Sequence, residues 1–154
     1  MTALRQEVEP PRSGGTDRRL PLAEIADDRS VGADVLIERL VSAFYDAVRR
    51  DDLLSPIFAE RVADWSLHLK KMHEFWSTIV HRTGRYAGRP LEVHLRIPGL
   101  QERHFHRWMN LWRQTVEQHV PSHQRELFIV PAARMAHSMA VRCSSPSPMD
   151  RQAP

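Results

Sequence analysis

Apolar residues recur every three or four positions through the long segments of this chain. In "ADVLIERLVSAFYDAVRRDD" (33–52), Leu36, Ile37, Leu40, Val41, Phe44, Tyr45 and Val48 form one stripe, the spacing of an amphipathic helix. "ADWSLHLKKMHEFWSTIVHRTG" (63–84) runs Trp65, Leu69, Met72, Trp76 and Ile79 down one face and meets a helix-ending glycine at Gly84. "LQERHFHRWMNLWRQTVEQHV" (100–120) places Leu100, Phe105, Trp108, Leu111, Trp112 and Thr115 on one side. A last helix covers 122–143. Pro131 inside it predicts a kink or a split, because proline lacks the N–H and crowds the preceding turn. "SPIF" (55–58) reads as a corner and "GRYAGRP" (84–90) as a loop. Strand-like alternation is confined to "LEVHL", too short and isolated to pair. The predicted fold class is all-α.

One short segment stands apart. "PLEVHLRIP" (90–98) is bounded by two prolines. Pro90 suits a first helical turn, and Pro98 discourages the residue before it from staying helical, which leaves room for about two turns. Leu91, His94 and Leu95 lie on one side of that rod. By itself, His94 reads as a core-edge histidine satisfied by a carbonyl, with a metal ligand as the competing role.

Composition narrows the class. Residues 1–28 are rich in Pro, Gly, Arg and Asp and short of large apolar side chains, so a disordered extension is expected there. A similar tail is expected over 144–154, leaving one domain at 29–143. The net charge is +3, but the bases are scattered and nearly all arginine, Lys70 and Lys71 being the only lysines. Nucleic-acid binding is therefore not expected. Cys143 is the sole cysteine, which excludes an intramolecular disulfide and any Cys-rich zinc site. No run of about 18 apolar residues is present, so no membrane span is expected. The start has no apolar stretch of a signal peptide, and the expected location is the cytoplasm.

Nine histidines invite metal chemistry, but their spacings fail the common tests. "HEFWS" from His73 has serine where a zinc-protease helix needs its second histidine, and no Glu-x-x-His pair occurs. Pro121 separates His119 from His123, and His104 and His106 point to different sides of a helix. These four read as surface residues. There is no nucleophile elbow and no Gly-rich phosphate loop after a strand. What remains is a set of polar tips on apolar stripes. His68 shares a helix face with Trp65, Leu69, Met72 and Trp76. Tyr45 and Trp108 bring a hydroxyl and an indole N–H from two other helices. They are either unrelated groups at the core edge or one wall of a pocket with His94 opposite.

Four stretches, "FYDAVRRDDLLSPIF", "HLKKMHEFW", "YAGRPLEVHL" and "FHRWMNLW", follow in order and spacing the pattern of the group III truncated haemoglobins. The chain resembles that family over residues 34–142. The glycine-pair motifs of groups I and II are absent from the corresponding places. The resemblance implies a two-over-two helical sandwich with a short proximal helix, holding haem b (iron protoporphyrin IX). By position, it implies that His94 is the proximal iron ligand, flanked by Leu91 and Leu95. Tyr45, His68 and Trp108 would form the distal side, with Phe58 and Met72 against the haem and Trp76 in the core. Arg96, Lys71 and Arg89 are candidate partners for the propionates. A haem iron held by one imidazole keeps a position open for O2, NO, CO or peroxide. Donors opposite would slow O2 release and favour NO dioxygenase or peroxidase-like chemistry with an unidentified reductase. A haem-free sensor or interaction domain would keep the same frame and is the alternative reading.

Overall fold

The protein's computed structural model describes residues 22–143, with side chains from Gly32 onward. The expected tail and residues 1–21 of the expected extension lie outside the described residues. Six α-helices follow in order: α1 (Leu22–Arg49), α2 (Ser55–Arg61), α3 (Trp65–His81), α4 (Pro90–Leu95), α5 (Glu102–His119) and α6 (Arg125–Cys143). A single 3-10 turn (Ser122–Gln124) precedes α6. No strand occurs among the described residues. α1 packs on α3, α5 packs on α6, and α1·α5 and α3·α6 contacts join the two pairs. The result is the all-α, two-over-two arrangement.

Local chemistry sets the boundaries. Asp64 caps α3, its Oδ1 accepting the Leu67 N–H at 3.0 Å. Pro90 opens α4, as expected for a residue with no N–H to satisfy. Beyond Pro98 the chain turns through Gly99 at φ +75°, a left-handed conformation that strains other residues. Arg125 closes α5 from outside, donating to the carbonyls of Val120 (3.0 Å) and Glu117 (2.8 Å).

Four sequence expectations need correction. α1 begins at Leu22, inside the stretch assigned to the extension. "SPIF" opens a two-turn helix rather than a simple corner. Ile79 is 37% exposed, because α3 turns its buried side toward Phe75, Trp76 and Ser77. Pro131 does not split α6, which continues from Arg125 to Cys143. The carbonyl deprived of its partner there is that of Leu127, whose residue is exposed, so solvent can take its place.

The core is built from Ile37, Leu40, Val41, Phe44 and Val48 of α1, Trp76 of α3, Trp112 and Val116 of α5, and Phe128 and Ala132 of α6. A second cluster of Phe105, Ala136, Met139 and Ala140 receives Leu91 from α4. Both clusters include Trp108 at their edge.

One buried charge ties three helices together. Asp51, just after α1, accepts the N–H groups of Leu53 (3.2 Å) and Leu54 (3.0 Å) on Oδ1, and Arg107 Nε of α5 at 2.6 Å on Oδ2. Burial opposes its ionisation, but the Arg107 and backbone hydrogen bonds win and hold the carboxyl below its usual range. A depressed carboxyl contributes stability above its unfolded pKa and loses it as pH falls through the folded one. Asp51→Ala is expected to cost about 2–3 kcal/mol, the price of several orphaned donors at a buried site. Urea denaturation checks it. The variant should also lose less stability than the native chain between pH 5 and acid.

Candidate functional site

α4 is a two-turn rod, so its side chains are placed by the segments that flank it. His94 is half-buried, and its Nδ1 lies 2.5 Å from the Pro90 carbonyl one turn earlier. A carbonyl can only accept, so Nδ1 carries the proton and Nε2 of the neutral ring keeps its lone pair. That is the tautomer a metal needs, oriented by the partner that the sequence left unidentified. Leu91 turns into the α5–α6 cluster, while Leu95 stays 45% exposed. A cleft of about 370 Å³ opens between α4 and α6, lined by Pro90, Leu91, Met135 and Met139 among others.

Facing this from α1, α2 and α3 is a nest of rings. Tyr45 is buried, with Phe44 at 5.0 Å, His68 at 4.8 Å, Phe58 at 5.8 Å and Trp65 at 6.0 Å between ring centres. Phe58 stacks on Trp65 at 6.3 Å. Met72, one turn beyond His68, packs against the core that includes Tyr45. Trp108 comes from α5, its ring edge-on to Phe44 at 5.3 Å. Neither the Tyr45 hydroxyl nor the Trp108 indole N–H has a hydrogen-bond partner among the described residues. His68 Nε2 is more exceptional. It is buried and has no partner, although buried polar atoms are nearly always paired.

Electrostatics links the two sides. Burial lowers the His68 pKa, the positive charge of Lys71 lowers it further, and a proton on His94 would oppose one on His68. His68 and His94 therefore sense one another across the site. Tyr45 is pushed far above the ordinary phenol range, by burial first and by Tyr86 second, and stays a protonated donor. Among the candidate cations, Arg89 is taken by Glu92 at 3.0 Å, whereas Arg96 and Lys71 make no ion pair among the described residues.

Thus Tyr45, Phe58, His68 and Met72 come together, Trp108 borders them through Phe44, and His94 stands on its own short helix. Three residues were missed as participants. Trp65 joins the ring nest, which its place one turn before His68 could have signalled. Tyr86 packs on Phe75 at 5.1 Å and lies against Gly88, where any Cβ would strike its hydroxyl. The Tyr-x-Gly spacing was the available sign. His104 is buried rather than a surface residue, because its Nδ1 accepts the Gln101 N–H at 2.9 Å and completes the start of α5.

An orphaned acceptor-or-donor on one side, a metal-ready imidazole on the other, and the exposed apolar side chain of Leu95 next to that imidazole fit a planar, metal-centred group. The chain belongs to the bacterial-like globin family, whose model matches residues 29–141. Family membership implies haem binding. Within that family the similarity is to group III truncated haemoglobins. The group 3 truncated hemoglobin ctb of Campylobacter jejuni is 32% identical over 84 residues, which are 52% of this chain and 66% of that relative. The crystal structure of a group III truncated hemoglobin from the same species superposes with a TM-score of 0.69 at 26% identity, over 73% of this chain and 91% of the other.

His68→Leu is expected to stabilise the protein prepared without added ligand by about 1–3 kcal/mol, since it removes a buried unpaired polar atom. The pH dependence should change with it. A histidine with a depressed folded pKa leaves the unfolded chain binding more protons below about pH 6.5, so stability falls as pH drops there. The leucine variant should flatten that fall in urea titrations.

Proposed function

We propose that this globin binds haem b through His94 Nε2 and holds O2, NO or CO on the side of Tyr45, His68 and Trp108. The observation that carries the reading is the pair of imidazoles. One is fixed by Pro90 with its metal-binding nitrogen free, and the other is buried without a partner. Haem held there would supply an iron able to bind a diatomic ligand. The chain supplies the rest. Leu91, Leu95, Phe58 and Met72 give apolar contact, and Arg96 with Lys71 balances the propionates. Tyr45 donates a hydroxyl proton, since its raised pKa keeps it neutral at physiological pH. Trp108 can only donate, and His68, held neutral by burial, donates from one nitrogen.

Such a donor-rich pocket suits ligand retention and reaction with NO or peroxide, served by a reductase, better than rapid O2 delivery. The lone cysteine is in keeping with a cytoplasmic protein. No helix among the described residues is long and apolar enough to cross a membrane. Stopped-flow O2 release tests the distal assignment. Tyr45→Phe is expected to release O2 roughly 10-fold faster, the effect of losing about 1.4 kcal/mol from one hydrogen bond. A native off-rate unchanged in both Tyr45→Phe and Trp108→Phe would sink it.

A further inference from the structure

Three of the four tryptophans form a continuous ladder that ligand binding does not require. Trp108, at the edge of the distal side, stacks on Trp112 at 5.7 Å and 9°. Trp112 stacks on Trp76 at 4.3 Å and 14°. Trp76 meets Phe75 at 5.4 Å, and Phe75 meets Tyr86 at 5.1 Å. Trp112 is fully enclosed and Trp76 nearly so, whereas Tyr86 is only half-buried.

We propose that the Trp76–Trp112 pair is a buried store for an oxidising equivalent, filled through Trp108 and discharged through Tyr86, which gives the protein a hydroperoxide-dependent one-electron oxidase activity toward phenol-class donors. The inference rests on the haem-binding reading for the origin of that equivalent. Loss of one electron from near-parallel indoles leaves a positive charge that both rings share. Trp65 lies nearer Tyr45, but the Arg49 guanidinium sits 5.0 Å over its ring and opposes a second positive charge. No cation lies over Trp76 or Trp112 among the described residues.

The exit follows from where protons can go. Trp112 Nε1–H donates to the Phe128 carbonyl at 3.2 Å. A carbonyl does not take that proton, so a charge on the Trp112 ring persists until an electron arrives. Tyr86 can send one across Phe75, which bridges without being oxidised. Its hydroxyl has no hydrogen-bond partner among the described residues, and its proton leaves to water as the neutral phenoxyl radical forms. Tyr86 is held for this role. Thr78 Oγ1 accepts its backbone N–H at 3.0 Å, and Gly88 leaves room for its ring. The sum balances: one H2O2 and two phenols give two phenoxyl radicals and two waters, each electron and proton passing through Tyr86 in turn.

Tyr45 and Tyr86 are the only tyrosines, so the owner of a tyrosyl signal can be decided by substitution. Haem-loaded protein, verified by its Soret band, is mixed with H2O2, frozen rapidly and examined by EPR. The expected result is a tryptophan radical that gives way to a tyrosyl radical. The tyrosyl signal should be lost in Tyr86→Phe, where the tryptophan signal outlives that of the native chain, and lost in Trp112→Phe. A tyrosyl signal that persists in Tyr86→Phe, or forms undiminished in Trp112→Phe, overturns the proposal. Pulse radiolysis with dibromide radical anions tests the ladder without peroxide or haem chemistry. Indolyl absorption should decay as phenoxyl absorption rises, and the rise should vanish in Tyr86→Phe but persist in Tyr45→Phe. A native chain with no phenoxyl rise overturns the ladder. A chain that takes up no haem instead refutes the binding reading, and the radiolysis still decides the ladder.

Discussion

His94→Ala is expected to abolish or strongly weaken the Soret band of haemin-treated protein, and added imidazole is expected to restore much of it. Removing even an outer-shell partner of a metal ligand costs roughly 10–100-fold in affinity, and removing the ligand itself should exceed that. The fold should survive. His94 is half-buried on a two-turn helix, and its one hydrogen bond runs within that helix to Pro90. Imidazole rescue separates loss of the ligand from loss of the structure. A variant with native haem affinity would show that another residue holds the iron.

Trp112→Ala carries the largest expected effect on stability. The side chain is 0% exposed, stacks on both Trp76 and Trp108, touches Phe44 edge-on at 4.9 Å and satisfies the Phe128 carbonyl. Truncation removes the rings' contacts, opens a cavity and removes the hydrogen bond to the Phe128 carbonyl. A buried Trp→Ala change costs about 3–5 kcal/mol, a large share of the 5–15 kcal/mol that holds an ordinary domain together. Equilibrium urea denaturation reads it directly. The same variant should also loosen Trp108 and so speed O2 release, although Trp112 lies behind the distal side. A loss below about 1 kcal/mol would mean that the three-tryptophan stack is not the centre of the core.

The helices and the segregated short segment were legible because they rest on local rules. The three-to-four spacing of Leu36 through Val48 fixes the buried side of α1, and the prolines at 90 and 98 delimit α4. Family resemblance added the pairing of Tyr45 with His68, which no spacing could supply. Tertiary choices were not legible. The onset of α1 at Leu22 falls in a charged stretch without an apolar stripe or a capping signal. Ile79 continued the periodic face of α3, yet the helix is rotated so that Ser77 takes the buried place. His104 looked like a surface residue until the α5 cap gave it a partner. Tyr86 and the ring ladder depend on how side chains from α3, α5 and a loop converge, and sequence spacing within one helix says nothing of that.

His94 and the opposed donors are expected to frame a haem. Titration of haemin into the purified protein, followed by its absorption spectrum after removal of unbound haemin, tests it most directly. The expected result is a Soret band that saturates at one haem per chain. A protein that stays colourless after exposure to haemin would contradict it.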